Sequence, residues 1–246
     1  MIRRISGELP ALCHTDVYGT RTVGYYNTYG TEQNAVSFYA QEVGGRCTGV
    51  LSDAFRQGSL TVTDDADFAE WTAFIRFLDL HTLLCDRNTA EKMDIVPNET
   101  GFVMRYFGTE QIEAKNAVDA DDPFFSFRDV YTLLQSCGFT LGDYDGWFAD
   151  FALRVRRKTA GVRCVFRDGV LASTASALFQ SDRAVYLGAV ATDPAFRGQG
   201  LAGELVLSLA QCGKRAEILC KAHRVSFYEQ LGFQQIGEFA ICHFFR

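Results

Sequence analysis

A chain of 246 residues, 48% hydrophobic and 22% charged, can bury a substantial core as one large domain or two small ones. Its net charge of -6 comes without a basic stripe, which argues against nucleic-acid binding, and no run of about eighteen apolar residues is present to span a membrane. The total hides an asymmetry: residues 1–123 carry 10 Lys and Arg against 19 Asp and Glu, while residues 124–246 carry 14 against 11.

The N-terminus has basic residues but no apolar stretch of signal-peptide type, so the expected compartment is the cytoplasm. Residues 18–29 are rich in Gly, Thr and Tyr and predict strand or loop near a surface. Residues 35–41, a Gly44-Gly45 turn and residues 47–52 predict an antiparallel hairpin, and residues 59–63 a third strand. Asp64 and Asp65 are then expected to cap a helix whose apolar face uses Phe68, Trp71, Phe74, Ile75 and Leu78. Residues 80–85 and 101–107 are further strand candidates, and residues 108–123 are polar enough to be a linker.

The second half repeats that order. A helix over residues 127–134 ends at Gly138, and another runs from about Asp145 into the basic cluster Arg154, Arg156, Arg157 and Lys158. Cations in a last helical turn suit the helix dipole, so the cluster is expected to be structural or solvated. Residues 162–166, an Arg167-Asp168-Gly169 turn and residues 170–179 predict a hairpin, followed by a strand over 184–191 with Gly188 where a bulge would splay it. A helix from Leu201, closed by Gly213, and a strand over 216–220 complete an internal pseudo-repeat. The expected architecture is a mixed, largely antiparallel α/β sheet flanked by helices, divided at residue 123.

Between that strand and helix stands Asp193-Pro194-Ala195-Phe196-Arg197-Gly198-Gln199-Gly200-Leu201-Ala202. Glycines allow positive φ and close approach, and the amides from Gly198 to Ala202 are donors at a helix N-terminus, a cradle for phosphate. The spacing of Gly198, Gly200 and Gly203 also fits a dinucleotide fingerprint, but the motif lies too late in the chain to open a doubly wound sheet. No Gly-Lys-Ser/Thr is present, which excludes a triphosphate P-loop. In the first half the equivalent loop has no glycine and holds Asp64, Asp65 and Asp67, which would repel pyrophosphate.

Arg197-Gly198-Gln199-Gly200-Leu201-Ala202, followed later by Phe227-Tyr228-Glu229-Gln230-Leu231-Gly232-Phe233, resembles the pyrophosphate loop and the late aromatic element of the GNAT superfamily of acyl-CoA-dependent N-acyltransferases. The resemblance covers the chain from about residue 124 onward, and the first half reads as a degenerate, cofactor-free copy that shapes the substrate side. It implies an N-acetyltransferase that passes an acetyl group from acetyl-CoA directly to an amine. The amides of Arg197, Gly198, Gln199, Gly200, Leu201 and Ala202 would take the pyrophosphate. Ala189, Val190 and Ala191 would pair with the pantetheine arm and point an amide at the thioester carbonyl. Tyr228 would be the general acid; the competing role is a core tyrosine beside Phe227 and Phe233. The Asn that often precedes this element is Lys221 here.

No general base stands out: Glu204 and Glu229 fit exposed helix positions, Asp193 belongs to the loop, and His223 is near only in sequence. Eight widely spaced cysteines predict buried free thiols, and four scattered histidines give a metal no site, so none is expected. The expected partner is a small-molecule or peptide amine, with neither nucleic acid nor membrane, and a homodimer is the one assembly considered. The stretch of residues 144–147 and the acidic first half are candidate walls of the amine pocket, their charge suiting a cationic amine. Two alternatives stay open: a non-catalytic acyl-CoA sensor, and a dinucleotide oxidoreductase.

Overall fold

The computed structural model describes residues 1–33, 35–109, 114, 117–210 and 214–244. In chain order the elements are β1 (Ile2–Arg4), α1 (Val17–Tyr29), β2 (Val36–Val43), β3 (Arg46–Ala54), β4 (Gln57–Val62), α2 (Phe68–Leu78), β5 (Thr82–Asp86), α3 (Arg87–Lys92), β6 (Glu99–Tyr106), β7 (Ala117–Asp119), α4 (Phe127–Ser136), α5 (Tyr144–Arg156), β8 (Gly161–Arg167), β9 (Val170–Gln180), β10 (Ala184–Thr192), α6 (Leu201–Ala210), β11 (Arg215–Cys220), α7 (Val225–Gln230) and β12 (Phe233–His243). No helix among the described residues is long and apolar enough to cross a membrane.

Two compact units form, interleaved in sequence where the composition suggests a single division at 123. The first comprises Met1–Met104, Leu219–Ser226 and Gln235–Arg246; the second comprises Arg105–Ile218 and Phe227–Gln234.

In the first unit the strand order is β1-β2-β3-β4-β5-β12-β6. The pairs β2–β3 and β3–β4 are antiparallel, β4–β5 is parallel, and β12 closes on β5 antiparallel from Phe239↔Asp86 to His243↔Thr82. Gly44 and Gly45 make the first hairpin turn with φ of 57° and 76°, the two-residue geometry that suits strand twist. Trp71 and Ile75 of α2 are buried in a core with Leu51, Leu60 and Leu83.

The cap of α2 is Asp67, whose side chain accepts from the amide of Glu70, and not Asp64 or Asp65. Those two are held elsewhere, Asp64 by Lys92 and Asp65 by Arg46. Residues 18–29 also differ from expectation: they form the buried helix α1, not strand or loop. Asp16 caps it by accepting from Gly19, and Thr20, Thr22 and Thr28 turn their hydroxyls onto carbonyls four residues back. Residues of poor helix propensity are thereby satisfied inside a helix whose stability comes from tertiary packing. A Cβ on Gly19 would stand 2.3 Å from the Cys13 carbonyl oxygen, so glycine here serves close approach.

The second unit orders β7-β8-β9-β10-β11. Its hairpin β8–β9 and the pair β9–β10 are antiparallel, and β10–β11 is parallel. This repeats the first unit's plan of three antiparallel strands, a helix and a parallel return. Helices α4 and α5 cover the sheet with Val130, Leu133, Leu134 and Phe151 packed on Val162, Cys164 and Ala191. The linker expected before residue 123 contains the short strand β7, paired with β8. The Gly213 cap and Cys212 lie outside the described residues. The seven described cysteines are free thiols, and burial pushes Cys13 up to about 12 and Cys164 to about 11, so both behave as packed thiols and not as nucleophiles.

Candidate functional site

The joint between β10 and α6 begins at Asp193, whose carboxylate accepts from the Ala195 amide at 2.8 Å and turns Pro194–Phe196 into one 3-10 turn. Arg197 follows in extended conformation and ties its Nε back to the Thr192 carbonyl at 3.2 Å. Gly198 and Gly200 then take φ of 78° and 77°. A Cβ built on either meets nothing within 4 Å, so backbone conformation and not crowding requires glycine here. Residues 197–200 are exposed. The first amide of α6 to bond a carbonyl a turn earlier is that of Glu204, to Gly200 at 3.1 Å. The amides of Leu201, Ala202 and Gly203 precede it and have no such carbonyl, which leaves donors and a positive dipole end facing the loop.

On the other side of the joint, β10 departs from its register. Gly188 pairs with Ser176, but the next partner pair is Ala191 with Thr174, so three steps on β10 match two on β9. The extra residue is absorbed at Ala189, whose φ of 48° is left-handed. The bulge expected at Gly188 therefore forms, with the strained backbone one residue later. Ala189 and Ala191 belong to the core that also holds Trp147, Leu141 and Cys137, so the candidate amine wall on α5 and the bulge share one cluster. The corresponding strand of the first unit, β4, keeps an unbroken register from Gly49↔Val62 to Ala54↔Gln57. Its loop has neither the glycines nor the bulge, and Asp67 there caps its own helix.

Tyr228 lies on α7 and is buried, with ring centroids 5.0 Å from Phe227 and 5.7 Å from Phe233. Phe233 in turn meets Tyr106 at 5.2 Å. The candidate general bases Glu204, Glu229 and His223 are exposed. Lys221, where the family pattern has Asn, is exposed and donates to Glu99.

One charged cluster escapes sequence reasoning. Glu217, 1% exposed, sits in β11 and accepts from Nε and Nη2 of Arg105 at 2.9 and 2.6 Å, all on Oε1. Arg215 Nε lies 3.2 Å from its other oxygen. The partners are 112 residues apart, beyond any local pattern; the trace in sequence is the lone charge in residues 216–220. The basic cluster on α5 divides in function: Arg154 is buried on Asp150, while Arg156 and Lys158 rim an open cleft of about 790 Å³ between α5 and β8 whose lining includes none of residues 193–200.

The model of the acetyltransferase (GNAT) family matches residues 127–233. Comparison with curated proteins finds no match. Among solved structures, a GCN5-related N-acetyltransferase from Kribbella flavida is similar at 12% identity and TM-score 0.57, over 96% of each chain. One from Sphaerobacter thermophilus is similar at 11% identity and TM-score 0.57, over 91% of this chain and 84% of that one. A tandem GNAT protein from the clavulanic acid biosynthesis pathway is similar at 15% identity and TM-score 0.53, over 91% of this chain and 86% of that one. These likenesses extend over the first half, where the repeated strand plan lies, and they concern the fold. Residues 127–233 accordingly match the acetyltransferase (GNAT) family model, within a chain whose fold is similar to that of GNAT proteins.

Proposed function

We propose that the second unit transfers an acetyl group from acetyl-CoA to an amine by direct attack, and that the first unit is a cofactor-free copy. The carrying observation is the pair of left-handed glycines, Gly198 and Gly200, between the bulged β10 and α6. The residues present suit a pyrophosphate: the loop is exposed, it offers amides and Arg197, and its nearest carboxylate, Asp193, is already engaged by Ala195. In this reading the amides of residues 197–202 hold the pyrophosphate. The backbone of Ala189, Val190 and Ala191 aligns the thioester and polarises its carbonyl, a fixed donor that needs no reorganisation. Tyr228 supplies a proton to the departing sulfur, and a water relay removes the amine's proton, in keeping with the exposed positions of Glu204, Glu229 and His223.

Titration calorimetry with acetyl-CoA tests the reading. Saturable one-to-one binding that disappears in Gly200→Asp is expected, because the substitution combines a strained φ with a carboxylate at the phosphate position. Absence of binding by the parent protein would reduce the glycine loop to a turn and remove the assignment.

A further inference from the structure

Strand β7 gives β8 a partner for part of its length only. Ala117, Val118 and Asp119 pair with Val165, Cys164 and Arg163. The chain then turns out of the sheet, the Asp119 carboxylate accepting from the Asp121 amide at 3.1 Å and the Asp119 carbonyl from the Asp122 amide at 3.2 Å. Beyond that turn Gly161 and Val162 pair with Ala177 and Ser176 of β9 on one side and with no described strand on the other. The cleft of about 790 Å³ opens along this bare edge: Gly161 and Val162 line it together with Ala149 and Ala152 of α5, Ala177 of β9 and Leu209 of α6. Backbone donors and acceptors at a bare sheet edge are a template for another strand, and small residues around this one leave room for that strand's side chains.

Gly161 points the same way. A glycine inside a strand often marks a bulge or a place where a ligand or another backbone comes close. The β8–β9 register runs unbroken from Gly161↔Ala177 to Val165↔Ser173, so there is no bulge here, and Gly161 does not take a positive φ. A Cβ built on it would rest 3.9 Å from Ala177 Cβ and from Gln180 Nε2, ordinary contact distances. No described residue crowds out a side chain at this position; a larger one would extend into the cleft.

Charge gives the occupant a direction. Five ionisable side chains line the cleft: Asp119 and Asp121 at the β7 turn, Arg163 across from Asp119, and Arg156 and Lys158 where α5 ends. None of the five forms an ion pair among the described residues. Asp119 faces Arg163 across the ladder and offsets it, which leaves Asp121 at one end and two cations at the other. A strand that continues the lane of β7 runs antiparallel to β8, so its first residue falls at the aspartates and its last at Arg156 and Lys158.

We propose that the cleft binds an extended peptide as a short additional strand on β8, with an ammonium-bearing N-terminal end at Asp119 and Asp121 and a carboxylate-bearing C-terminal end at Arg156 and Lys158. None of residues 193–200 lines the cleft, so this site is separate from the glycine loop and independent of the acyltransferase reading.

The test follows the backbone amide NMR signals of the isotope-labelled full chain during titration to millimolar concentration with the pentapeptide Lys-Val-Thr-Val-Glu, free at both termini. Saturable shifts are expected at Gly161, Val162 and the α5 residues of the cleft, with the Gly200 signal unmoved. Two control peptides should bind at least tenfold more weakly: Glu-Val-Thr-Val-Lys, whose ends are each neutral overall, and the probe N-methylated at threonine and the valine after it, which removes a pairing donor in either register. Gly161→Val places a branched side chain in the cleft, so affinity should fall at least tenfold while Tm stays within a few degrees of the parent's. Arg156→Glu, at an exposed position, should lower affinity at least fivefold, and it covers the case in which the valine variant fails to fold. Absence of saturable shifts at Gly161 and Val162 overturns the proposal, as do equal affinities for the probe and its controls, or unchanged affinity in a folded Gly161→Val or Arg156→Glu. Shifts that follow protein concentration and not peptide would assign the edge to a second copy of this chain and overturn it as well.

Discussion

Arg154 on α5 lays its guanidinium 4.5 Å from the centroid of the Phe179 ring on β9. The same side chain is clamped by Asp150 and donates to the Leu178 carbonyl, so one residue of a basic run joins helix to sheet while its neighbours remain at the surface. Arg154→Ala would strand Asp150 and orphan the carbonyl. The expected cost is about 3 kcal/mol, the range for breaking a buried pair, or a fall in Tm of roughly 6–12 °C. Arg157→Ala, at an exposed position, should move Tm little. Thermal unfolding of the two variants checks the contrast.

Ala189 holds φ of 48° without being glycine. The left-handed region costs an L-residue about 1–2 kcal/mol, and glycine returns about 0.5–1 kcal/mol of that as chain entropy. Ala189→Gly should therefore stabilise the protein slightly, raising Tm by about 1–4 °C, with acetyl-CoA affinity close to the parent's. A fall in Tm would mean that the Ala189 methyl contributes more by packing in the α4–α5 core than its backbone costs.

For Tyr228, buried between Phe227 and Phe233, the general-acid role and the core role part company in Tyr228→Phe. Loss of proton transfer should lower kcat on the order of a hundredfold with the Kd for acetyl-CoA nearly unchanged. Equal turnover in the two proteins would leave Tyr228 as packing alone.

Asp86 caps α3 by accepting from Asn88, yet burial raises its carboxyl above the usual range, more than the Asn88 and Thr89 amides lower it, with Glu238 and Glu91 adding repulsion. A carboxyl whose folded pKa is raised destabilises the fold when ionised. The penalty is present at neutral pH and fades as pH falls through the raised value toward about 4, where the unfolded chain also protonates. Asp86→Asn keeps the cap acceptor and removes the charge. Its urea midpoint should exceed the parent's at pH 8, and the gap should narrow at pH 5.

The strands, the glycine loop and the repeated plan were legible because each is local: apolar runs of strand length, glycines where φ is positive, and turns at Gly44-Gly45 and Asp168-Gly169. Helix α1 was not, since Gly, Thr and Tyr read as strand or loop, and only tertiary packing, with threonine hydroxyls folded back on carbonyls, makes them a helix. The cap of α2 was misplaced by a few residues because three aspartates stand together and their ion-pair partners, Arg46 and Lys92, are distant in sequence. Arg105 and Glu217 were invisible for the same reason, and Arg154 was hidden among neighbours of like charge with a different fate.

The closure of β12 on β5 has a consequence for how the protein is made. Residues 239–243 are synthesised long after β5, and until they emerge β5 presents an unfilled edge to whatever strand is near. The first unit has segments on both sides of Arg105–Ile218 in the chain, so it is completed only after that stretch is made; a fragment stopped after residue 123 carries its helices and hairpins but lacks the strand that seals them. Gene fusions and truncations that treat the two halves as beads on a string should yield aggregation-prone N-terminal products, and a nascent chain stalled before residue 239 should be a client for chaperones while the full chain is not.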